Sequence, residues 1–370
     1  MKTKMFLALL LCVLLLCTAA CGKTATDTND TTAAVASSET DSGVDYSDFK
    51  TAIMLPGIEG ENAIFQMIAD GIRTACSDLG APEPKVVEGG DQWTSYGKYL
   101  TSLAEVGIYD VIFTTTDVMR YCVKETHADY PDQKFVLIDA DLVGYEDQFD
   151  GGVIPDTVWG VSFDLYQLGY LGGYFCGLVT QSDMERANSD LVVGLVFTDV
   201  YDAWEVDVKT GFTNGVNAAN PDIQIINSII GDWVDPQKGA DVTRALFAQG
   251  ADIVYYTTGA SAYGCVTEAE AQNKYAVADD NNAISLSPDT IIACTLVEGY
   301  QAAYDAAYGA ITGTLEYGTG RTVGAADGVI SFTFDDPVTQ ATVPADILEK
   351  METAYQGLID GTIDAHASID

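Results

Sequence analysis

The chain has little positive charge and almost no histidine. It contains 17 Lys and Arg residues against 55 Asp and Glu residues, which gives a formal net charge of −38, and it has only 2 His. A nucleic-acid-binding surface needs a positive face to meet phosphate groups, so this composition argues against nucleic acid as a partner. The ordinary role of such an acidic surface is solubility.

Motifs of catalysis are also missing. No GxSxG, no HExxH and no phosphate loop of the GxxxxGK type occurs in the sequence,. His127 is predicted to lie in a surface helix and His366 in a frayed tail, and neither has a partner at a recognisable spacing. Asp279 and Asp280 are adjacent, which places them on opposite sides of an extended chain. We therefore predict a protein that is not an enzyme and that needs no cofactor, with a hydrolase as the least favoured alternative.

Cysteines do not form the pairs that zinc knuckles and redox sites require. No CxxC occurs, and the cysteines in the body of the chain are Cys76, Cys122, Cys176, Cys265 and Cys294,. Most of them stand in apolar segments, so we predict small core residues and no metal site. One disulfide stays open, because the sequence does not say which cysteines would pair.

Long hydrophobic runs are absent except at the start of the chain. Lys2 and Lys4 precede a short apolar run over 6–16, and small residues then lead to Cys21. A secretory signal has this order, and the run is too short for a spanning helix. Two alanines directly before Cys21 resemble a bacterial lipobox, in which the cysteine is lipidated. We predict a lipoprotein signal peptide over 1–20 with lipidation at Cys21; the alternative is an ordinary cleaved signal with an incidental cysteine.

The segment over 21–47 is rich in Thr, Ser, Asp and Ala and almost free of aromatic residues. It cannot bury enough apolar surface to offset its chain entropy, so we predict a flexible tether. A lipid, a tether and a globular body together place the protein on the extracytoplasmic face of the cell membrane, held there by the lipid anchor only.

The body of the chain consists of short apolar runs that alternate with amphipathic segments. Thr51–Pro56 has the pattern of a buried strand, and Ala63–Leu79 follows with apolar residues at helical spacing,. Further strands are predicted at Lys85–Val87, Asp110–Phe113, Phe135–Ile138, Leu191–Phe197, Ile223–Ile229, Asp252–Tyr256 and Tyr275–Ala278. This alternation predicts parallel sheets with helices on both faces, in two tandem α/β halves.

The last part of the chain is too short for a third core. Its predicted elements are Ile291–Ala293, a helix over Val297–Ile311, Gly328–Phe334 and a closing helix over Ala345–Ile359. They should return to the two existing sheets, so the chain should cross between the halves more than once. We predict an N-terminal lobe of residues 48–162 plus 296–325 and a C-terminal lobe of residues 163–295 plus 326–362.

Several segments, in order, carry a family resemblance over nearly the whole body. They include IYDVIF at Ile108–Phe113, YPDQKFVLID at Tyr130–Asp139, YLGGYFCGLVT at Tyr170–Thr180, KTGFTNGVNAANP at Lys209–Pro221, DPQKGADVTRALFAQGADIVYYTTG at Asp235–Gly259 and YAVADDNN at Tyr275–Asn282. These segments resemble the basic membrane protein family of lipoproteins, which includes the purine nucleoside receptors of ABC importers.

The resemblance implies an α/β, type I periplasmic-binding-protein fold, in which two doubly wound parallel-sheet lobes are joined by three crossovers. It also implies a nucleoside-like ligand in the cleft and its delivery to an ABC permease. We expect a monomer. The alternatives are a surface sensor or adhesin with the same fold, and a binding protein for a different amine- or hydroxyl-rich ligand.

Acidic and amide side chains follow two of the predicted strands, where ligands of open α/β sheets bind. Asp279 follows Tyr275–Ala278, and the family's GVDSDQ-like segment reads VADDNN here. A carboxylate at this place can accept two hydroxyl donors from a ribose. Asn281 falls where the family often has a second acid, and Asp139 ends another strand. The alternative for Asp279 is a helix cap or loop acid, and for Asp139 it is capping or pairing.

Phe65 and Trp204 are candidates for stacking on a flat ring, which is worth about 1–3 kcal/mol per base in nucleic-acid systems. Trp204 lies just ahead of Gly211–Phe212, where a family aromatic tends to sit; its alternative is helix-to-loop packing. The family pattern DxSFN reads ENAIF here. Glu61 therefore replaces the family Asp as an acceptor, and the alternative for Phe65 is a core position.

Glu298 departs from the family pattern in its chemistry. The family usually carries SxxK where this chain reads CTLVEGY, so Glu298 stands in the place of a cleft lysine. Lysine only donates hydrogen bonds and a carboxylate only accepts them. A ligand that contacts Glu298 should therefore offer amine or hydroxyl donors; the alternative is a solvated helix acid.

Overall fold

The computed structural model describes residues 44–90, 92–200 and 203–367, and of Glu61 it describes the backbone alone. Residues from Asp45 onward form one compact unit. The predicted signal peptide over 1–20, the predicted lipidation site at Cys21 and nearly all of the predicted tether over 21–47 lie outside the described residues.

Strands and helices alternate along the described residues. The strands are β1 (Thr51–Leu55), β2 (Lys85–Glu88), β3 (Val111–Thr115), β4 (Lys134–Ile138), β5 (Val158–Phe163), β6 (Val192–Phe197), β7 (Gln224–Ile229), β8 (Ile253–Thr257), β9 (Tyr275–Ala278), β10 (Ile291–Val297), β11 (Thr319–Val323) and β12 (Ile330–Phe332). The helices are α1 (Ala63–Asp78), α2 (Tyr96–Val106), α3 (Val118–Asp129), α4 (Leu165–Thr180), α5 (Lys209–Ala219), α6 (Pro236–Phe247), α7 (Ala262–Ala271), α8 (Gly299–Thr312), α9 (Pro337–Thr342) and α10 (Ala345–Ile359).

The strands form two six-stranded sheets of the same design. The first has the order β11-β5-β4-β3-β1-β2 and the second the order β12-β10-β9-β8-β6-β7. Neighbouring strands run parallel, except that β12 is antiparallel to β10. Every residue of β1 and β8 is buried, as expected for central parallel strands with helices on both faces,. The predicted α/β class with two tandem parallel sheets is confirmed.

The chain crosses between the sheets three times. It passes from β5 through α4 to β6, from β10 through α8 to β11, and from β11 directly to β12. The crossover segments are tied together by backbone hydrogen bonds. The N–H of Asp164 donates to the carbonyl oxygen of Val323 at 2.9 Å, and the N–H of Glu298 donates to that of Val329 at 2.7 Å. Short adjacent connections of this kind are suited to hinge motion of one lobe against the other.

Glycines allow α4 and α5 to pack at backbone distance. A Cβ on Gly173 would lie 2.0 Å from the carbonyl oxygen of Phe212, and a Cβ on Gly169 would lie 2.2 Å from that of Val208. No larger side chain fits at these distances, so α4 is rich in glycine because α5 contacts its backbone. This contact positions the turn that precedes α5, which borders the cavity described below.

Some local predictions were incomplete or misplaced. The strand β5 is not among the predicted strands, although VWGVSF is an apolar run. The strand β11 is not among them either, because its residues are polar and mostly exposed at the sheet edge. The predicted helix over Val297–Ile311 begins only at Gly299, because β10 continues to Val297. The amphipathic segment over Val206–Ala219, for which the sequence predicts a single helix, consists of the end of a π-helical turn over Ala203–Val208 followed by α5.

The cysteines of the described residues all have free thiols. Cys76, Cys176, Cys265 and Cys294 are buried, and Cys122 is half-buried. Burial raises the pKa of these thiols above its usual value, which keeps them in the unreactive thiol form,. The prediction of small core residues is confirmed.

Candidate functional site

A cavity of about 350 Å³ lies between the two sheets. Its wall is built from the segments that follow β3, β4 and β5, from the π-helical turn after β6, and from the crossover between β11 and β12. Carboxyl ends of strands therefore border it, as expected for a ligand site in an α/β protein. The acidic residues of the wall are Asp117, Asp139, Asp141, Asp164, Asp207 and Asp327, and the wall also includes His366.

Three carboxylates of the wall, those of Asp139, Asp141 and Asp207, are difficult to ionise. Burial raises the pKa of Asp139 well above its usual value, and repulsion from Asp117 and Asp280 raises it further. Burial also raises the pKa of Asp207 to about 6. A carboxylate in this condition is stabilised by any group that brings hydrogen-bond donors or positive charge. The cavity therefore favours a donor-rich or cationic ligand and disfavours an anion.

Two more carboxylates follow β9 in the second sheet. Burial raises the pKa of Asp280 to about 6, and it raises that of Asp279 well above its usual value, with repulsion from Asp280 as a further cause. Because Asp280 also raises the pKa of Asp139, the ends of β9 and β4 approach each other across the gap. Asp139 and Asp280 have φ angles of 57° and 63°, a left-handed conformation that is uncommon for residues with a side chain,. Strain of this kind tends to collect at functional sites.

A buried arginine supports the cavity from the first sheet. Arg120 is only 5% exposed, and its guanidinium donates to Asp117 Oδ1 and Gln148 Oε1, both at 3.0 Å, and to the carbonyl oxygen of Asp141. It also lies 3.8 Å from the ring centroid of Tyr145. These contacts hold together the loops that follow β3 and β4, so the positive charge is used within the protein.

Three aromatic rings are arranged as a ladder beside the turn after β6. The ring of Trp204 lies between Phe197, at a centroid distance of 6.2 Å and an interplanar angle of 15°, and Trp233, at 5.1 Å and 44°. Phe197 is fully buried, whereas Trp233 is 45% exposed. Ala203 and Asp207, on the same π-helical turn as Trp204, line the cavity. Trp233 is therefore the outer, exposed ring of the ladder, and it lies next to a turn that lines the cavity.

The end of the described chain contributes to the wall of the cavity. The Nε2 atom of His366 lies 2.9 Å from Asp164 Oδ1. The amide of Asn214 donates to the carbonyl oxygens of Ala365 and Ala367, at 3.0 and 2.8 Å, which fixes this segment on α5. The prediction that His366 belongs to a frayed tail is wrong, because these contacts hold it in place.

Hydroxyl groups at the carboxyl ends of β3 and β8 are left without partners. The Oγ1 atoms of Thr115, Thr257 and Thr258 are buried and have no hydrogen-bond partner within the described part of the chain. Buried polar groups are nearly always satisfied in folded proteins. These two strand ends therefore hold hydrogen-bonding capacity that the described residues do not use.

Comparison with known proteins decides the family. A sequence model described as Bmp, ABC transporter substrate-binding protein PnrA-like, matches residues 50–360. The chain belongs to this family. The predicted membership in the basic membrane protein group is thereby confirmed, and the family is one of substrate-binding proteins of the extracytoplasmic type rather than a class of enzymes.

Relatives in this family share the sequence at low identity. The CD4+ T-cell-stimulating antigen of Listeria monocytogenes is 28% identical over 181 residues, which are 48% of this chain and 45% of that protein. Basic membrane protein A of Borreliella burgdorferi is 23% identical over 206 residues, which are 54% of this chain and 55% of that protein. The match thus spans about half the length of each relative.

The fold is shared with solved members of the same broad class. A crystal structure of a solute-binding protein of an ABC transporter system from Aeropyrum pernix matches with a TM-score of 0.69 at 20% identity, covering 85% of this chain and 92% of that one. The predicted type I periplasmic-binding-protein fold is confirmed. No helix in the described ranges combines the length and the hydrophobicity needed to cross a membrane.

Among the predicted ligand-binding residues whose side chains the structure describes, Asp139 is the one that lines the cavity. Asp279 is not among the lining residues. It lies close enough to the buried Tyr255 to raise the pKa of that phenol, after burial itself. Asn281 is exposed, and its N–H donates to the carbonyl oxygen of Asp279 at 2.7 Å. The ligand-binding roles of these residues in the family site stay predictions.

The other predicted residues are spread around the cavity. Phe65 is 8% exposed at the start of α1 and packs close to Gly57. Glu298 is exposed directly before α8, and it helps to raise the pKa of Tyr355 on α10, after burial and Glu352. The backbone of Glu61 belongs to a short 3-10 helix, and its side chain is outside the description.

Sequence reasoning missed several residues of the cavity wall, among them Asp164 and His366, and it missed the exposed Trp233. Asp164 directly follows β5, which is not among the predicted strands, so the apolar run of that strand was a usable signal. Trp233 lies in the loop after the edge strand β7 and not directly at its end. For His366 the pattern contained no signal, because its partner Asp164 is 202 positions away in sequence.

Proposed function

We propose that this family member is the lipid-anchored substrate-binding component of an ABC importer, and that it captures a nucleoside-like small molecule in the cavity between the two sheets. Lipidation at Cys21 would hold it on the extracytoplasmic face of the membrane as a monomer. Residues 48–162 with 296–325 would close against residues 163–295 with 326–362 around the ligand and then present it to the permease.

The observation that supports this proposal is the meeting of carboxylates from both sheets beside an exposed indole ring. Asp139 follows the first sheet, Asp280 and Asp207 belong to the second, and Trp233 lies next to the turn that carries Asp207. Carboxylates accept paired hydroxyl donors such as those of a ribose, and a flat base stacks on an aromatic face. A cavity of about 350 Å³ is within the size range of small-molecule sites,.

A second candidate is the binding of a cationic, amine-rich ligand. The carboxylates of the wall face no free cation among the described lining residues, and Arg120 is engaged with the protein. A protonated amine would relieve the repulsion between Asp139 and Asp280 directly. A neutral nucleoside would do so only through its hydrogen-bond donors, so a panel that contains both kinds of ligand separates the two proposals.

A thermal-shift screen of the purified protein against nucleosides, free bases and polyamines tests both proposals. A ligand present at 100 times its Kd adds about 2.7 kcal/mol to the free energy of unfolding. We expect a shift with nucleosides that Asp139→Asn or Asp279→Ala abolishes. Asp235→Asn serves as the control, because Asp235 caps α6 outside the cavity and asparagine caps equally well,. A shift with polyamines alone would favour the second candidate, and no shift with any compound would contradict both.

The lipid anchor is tested separately in cells. Wild-type protein should fractionate with membranes and yield an N-terminal fragment that carries a lipid mass at Cys21. The Cys21→Ser variant should lose that mass and be released from the membrane fraction. A wild-type protein that is released without lipid would identify the ordinary cleaved signal instead.

A further inference from the structure

We infer that the segment after α10, residues 361–367, is part of the ligand site and that His366 is a ligand-binding residue. The inference rests on the proposed function and adds to it a contact that comes from the end of the chain. The ligand group that His366 would recognise is a hydrogen-bond donor, a hydroxyl or an amine.

The segment is fixed on the second lobe by contacts along its length. Gly361 has a φ of 72°, the left-handed conformation that lets the chain turn back at the end of α10,. The N–H of Ile363 then donates to the carbonyl oxygen of Gly357 at 2.9 Å, and Ala365 is 3% exposed. Together with the two hydrogen bonds from Asn214, these contacts make the segment part of the folded core.

The imidazole of His366 is oriented on two sides. Its Nε2 atom is 2.9 Å from Asp164 Oδ1, and that carboxylate is itself fixed because it accepts from the N–H of Gln167 at 3.2 Å and is 7% exposed. The ring of Tyr166 contacts the imidazole edge-on, at a centroid distance of 4.4 Å and an angle of 81°. The phenol of Tyr166 in turn donates to Asp207, another residue of the wall.

This geometry decides which nitrogen is left for a ligand. A carboxylate only accepts hydrogen bonds, so the proton of a neutral His366 ring belongs on Nε2 and the lone pair on Nδ1. Within the described residues Nδ1 has no hydrogen-bond partner, and the side chain is 53% exposed while it lines the cavity. The acidic wall thus contains a ring nitrogen that is held in place and that the described residues do not use.

The Asp164 contact also links the segment to a crossover. Asp164 comes directly after β5 of the first sheet, and its N–H donates to Val323 at the next crossover. The segment itself continues from α10, which packs against α4 of the second lobe. A ligand that contacts His366 would therefore be held at the point where the lobes join, beside Asp207 and Gln167 of the same wall.

The test is the affinity of full-length His366→Gln for the nucleoside that binds the wild-type protein most tightly, measured by calorimetry. Glutamine can still donate from its own Nε2 atom to Asp164 and so keep the segment in place. In that orientation its acceptor oxygen projects from the side of the imidazole Cδ2, so no acceptor remains at the place of Nδ1. We expect Kd to rise about tenfold, the size of one hydrogen bond. Hydrogen exchange of the amides of 361–367 should be unchanged, which shows that the segment has not detached.

The matched control is His127→Gln. Its Nε2 atom also makes one 2.9 Å contact, with Thr157, and it does not line the cavity, so its affinity should equal that of the wild type. Wild-type affinity in His366→Gln would overturn the inference and leave the proposed function intact. Loss of affinity in His366→Ala together with wild-type affinity in His366→Gln would also overturn it, because His366 would then only hold the wall. A wild-type protein that binds no nucleoside would remove the proposed function and this inference together.

Discussion

Replacing Asp207 by asparagine should stabilise the empty protein and weaken its ligand binding. Burial raises the pKa of Asp207 from its ordinary 3.8 to about 6. Without any screening by water, the corresponding free-energy cost of ionising the group in the folded state is roughly 3 kcal/mol. Because Asp207 is only partly buried, water screens part of this cost,. We therefore expect a gain of roughly 1.5 kcal/mol at pH 7.5, where the wild-type group is ionised.

The sign of this effect depends on pH. Below pH 3.8 the carboxyl is protonated in both the folded and the unfolded chain, so the substitution should change little. As the pH rises from 3.8 to about 6, the unfolded chain releases this proton while the folded protein keeps it, so wild-type stability falls relative to the variant,. Above about 6 both states are ionised and the difference stays constant. Tyr166 can still donate to the amide oxygen of the asparagine, so no hydrogen bond is lost,.

The assay is urea unfolding of Asp207→Asn and wild type at pH 3.5 and at pH 7.5, followed by ligand titration at pH 7.5. The matched control is Asp336→Asn, because a hydrogen bond from Asn282 lowers the pKa of Asp336 and the same substitution should slightly destabilise the protein at pH 7.5. An Asp207→Asn variant that is no more stable than wild type at pH 7.5, or that gains equally at both pH values, would refute the reasoning. So would a stabilised variant with undiminished affinity.

Three further predictions follow from the same structure. Trp233→Ala should weaken the binding of ring-bearing ligands about tenfold or more, measured by calorimetry. Trp93→Ala, at another exposed tryptophan outside the cavity, should leave the affinity unchanged. Equal affinities of Trp233→Ala and wild type would contradict the stacking role. Affinity for a neutral nucleoside should rise from pH 5 to pH 7.5. Burial raises the pKa of Asp207 and of Asp280 to about 6, and each carboxyl accepts hydrogen bonds with both oxygens only when it is ionised. Ligand titrations in which the affinity falls over this pH range would be inconsistent with this prediction. Gly173→Ala should lower the free energy of unfolding, measured in urea, by about 1–3 kcal/mol. The reason is that the added Cβ would lie 2.0 Å from the carbonyl oxygen of Phe212. Gly60→Ala places its Cβ in open space and should leave the free energy of unfolding unchanged.

The architecture was predictable because buried parallel strands are written as short apolar runs. Thr51–Leu55 and Ile253–Thr257 are buried along their whole length, and both were identified from their hydrophobicity,. The edge strand Thr319–Val323 was not predicted, because it has one neighbouring strand and its other side is exposed to solvent. Such a strand needs no apolar pattern. Position in the sheet thus decides how much of a strand its sequence reveals.

The site was only partly predictable, because its residues meet through tertiary contacts. Asp139 could be chosen from its place after a strand. The burial of Arg120 could not, since the pattern of α3 predicts a surface residue there and two of its partners, Asp141 and Gln148, come from later loops. The order of the three rings in the aromatic ladder could not be predicted from the sequence either. Trp204 was selected from the sequence, but the ring left exposed beside it is that of Trp233, which arrives from the loop after β7.

The most direct measurement is a crystal structure of the protein with the compound that stabilises it most in the screen. We expect ligand density in the cavity between Asp139 and Asp207, with its ring against Trp233 and with donors within hydrogen-bond distance of carboxylates from both lobes. Density for the ligand on an outer surface, with the cavity filled by water alone, would contradict the proposed site.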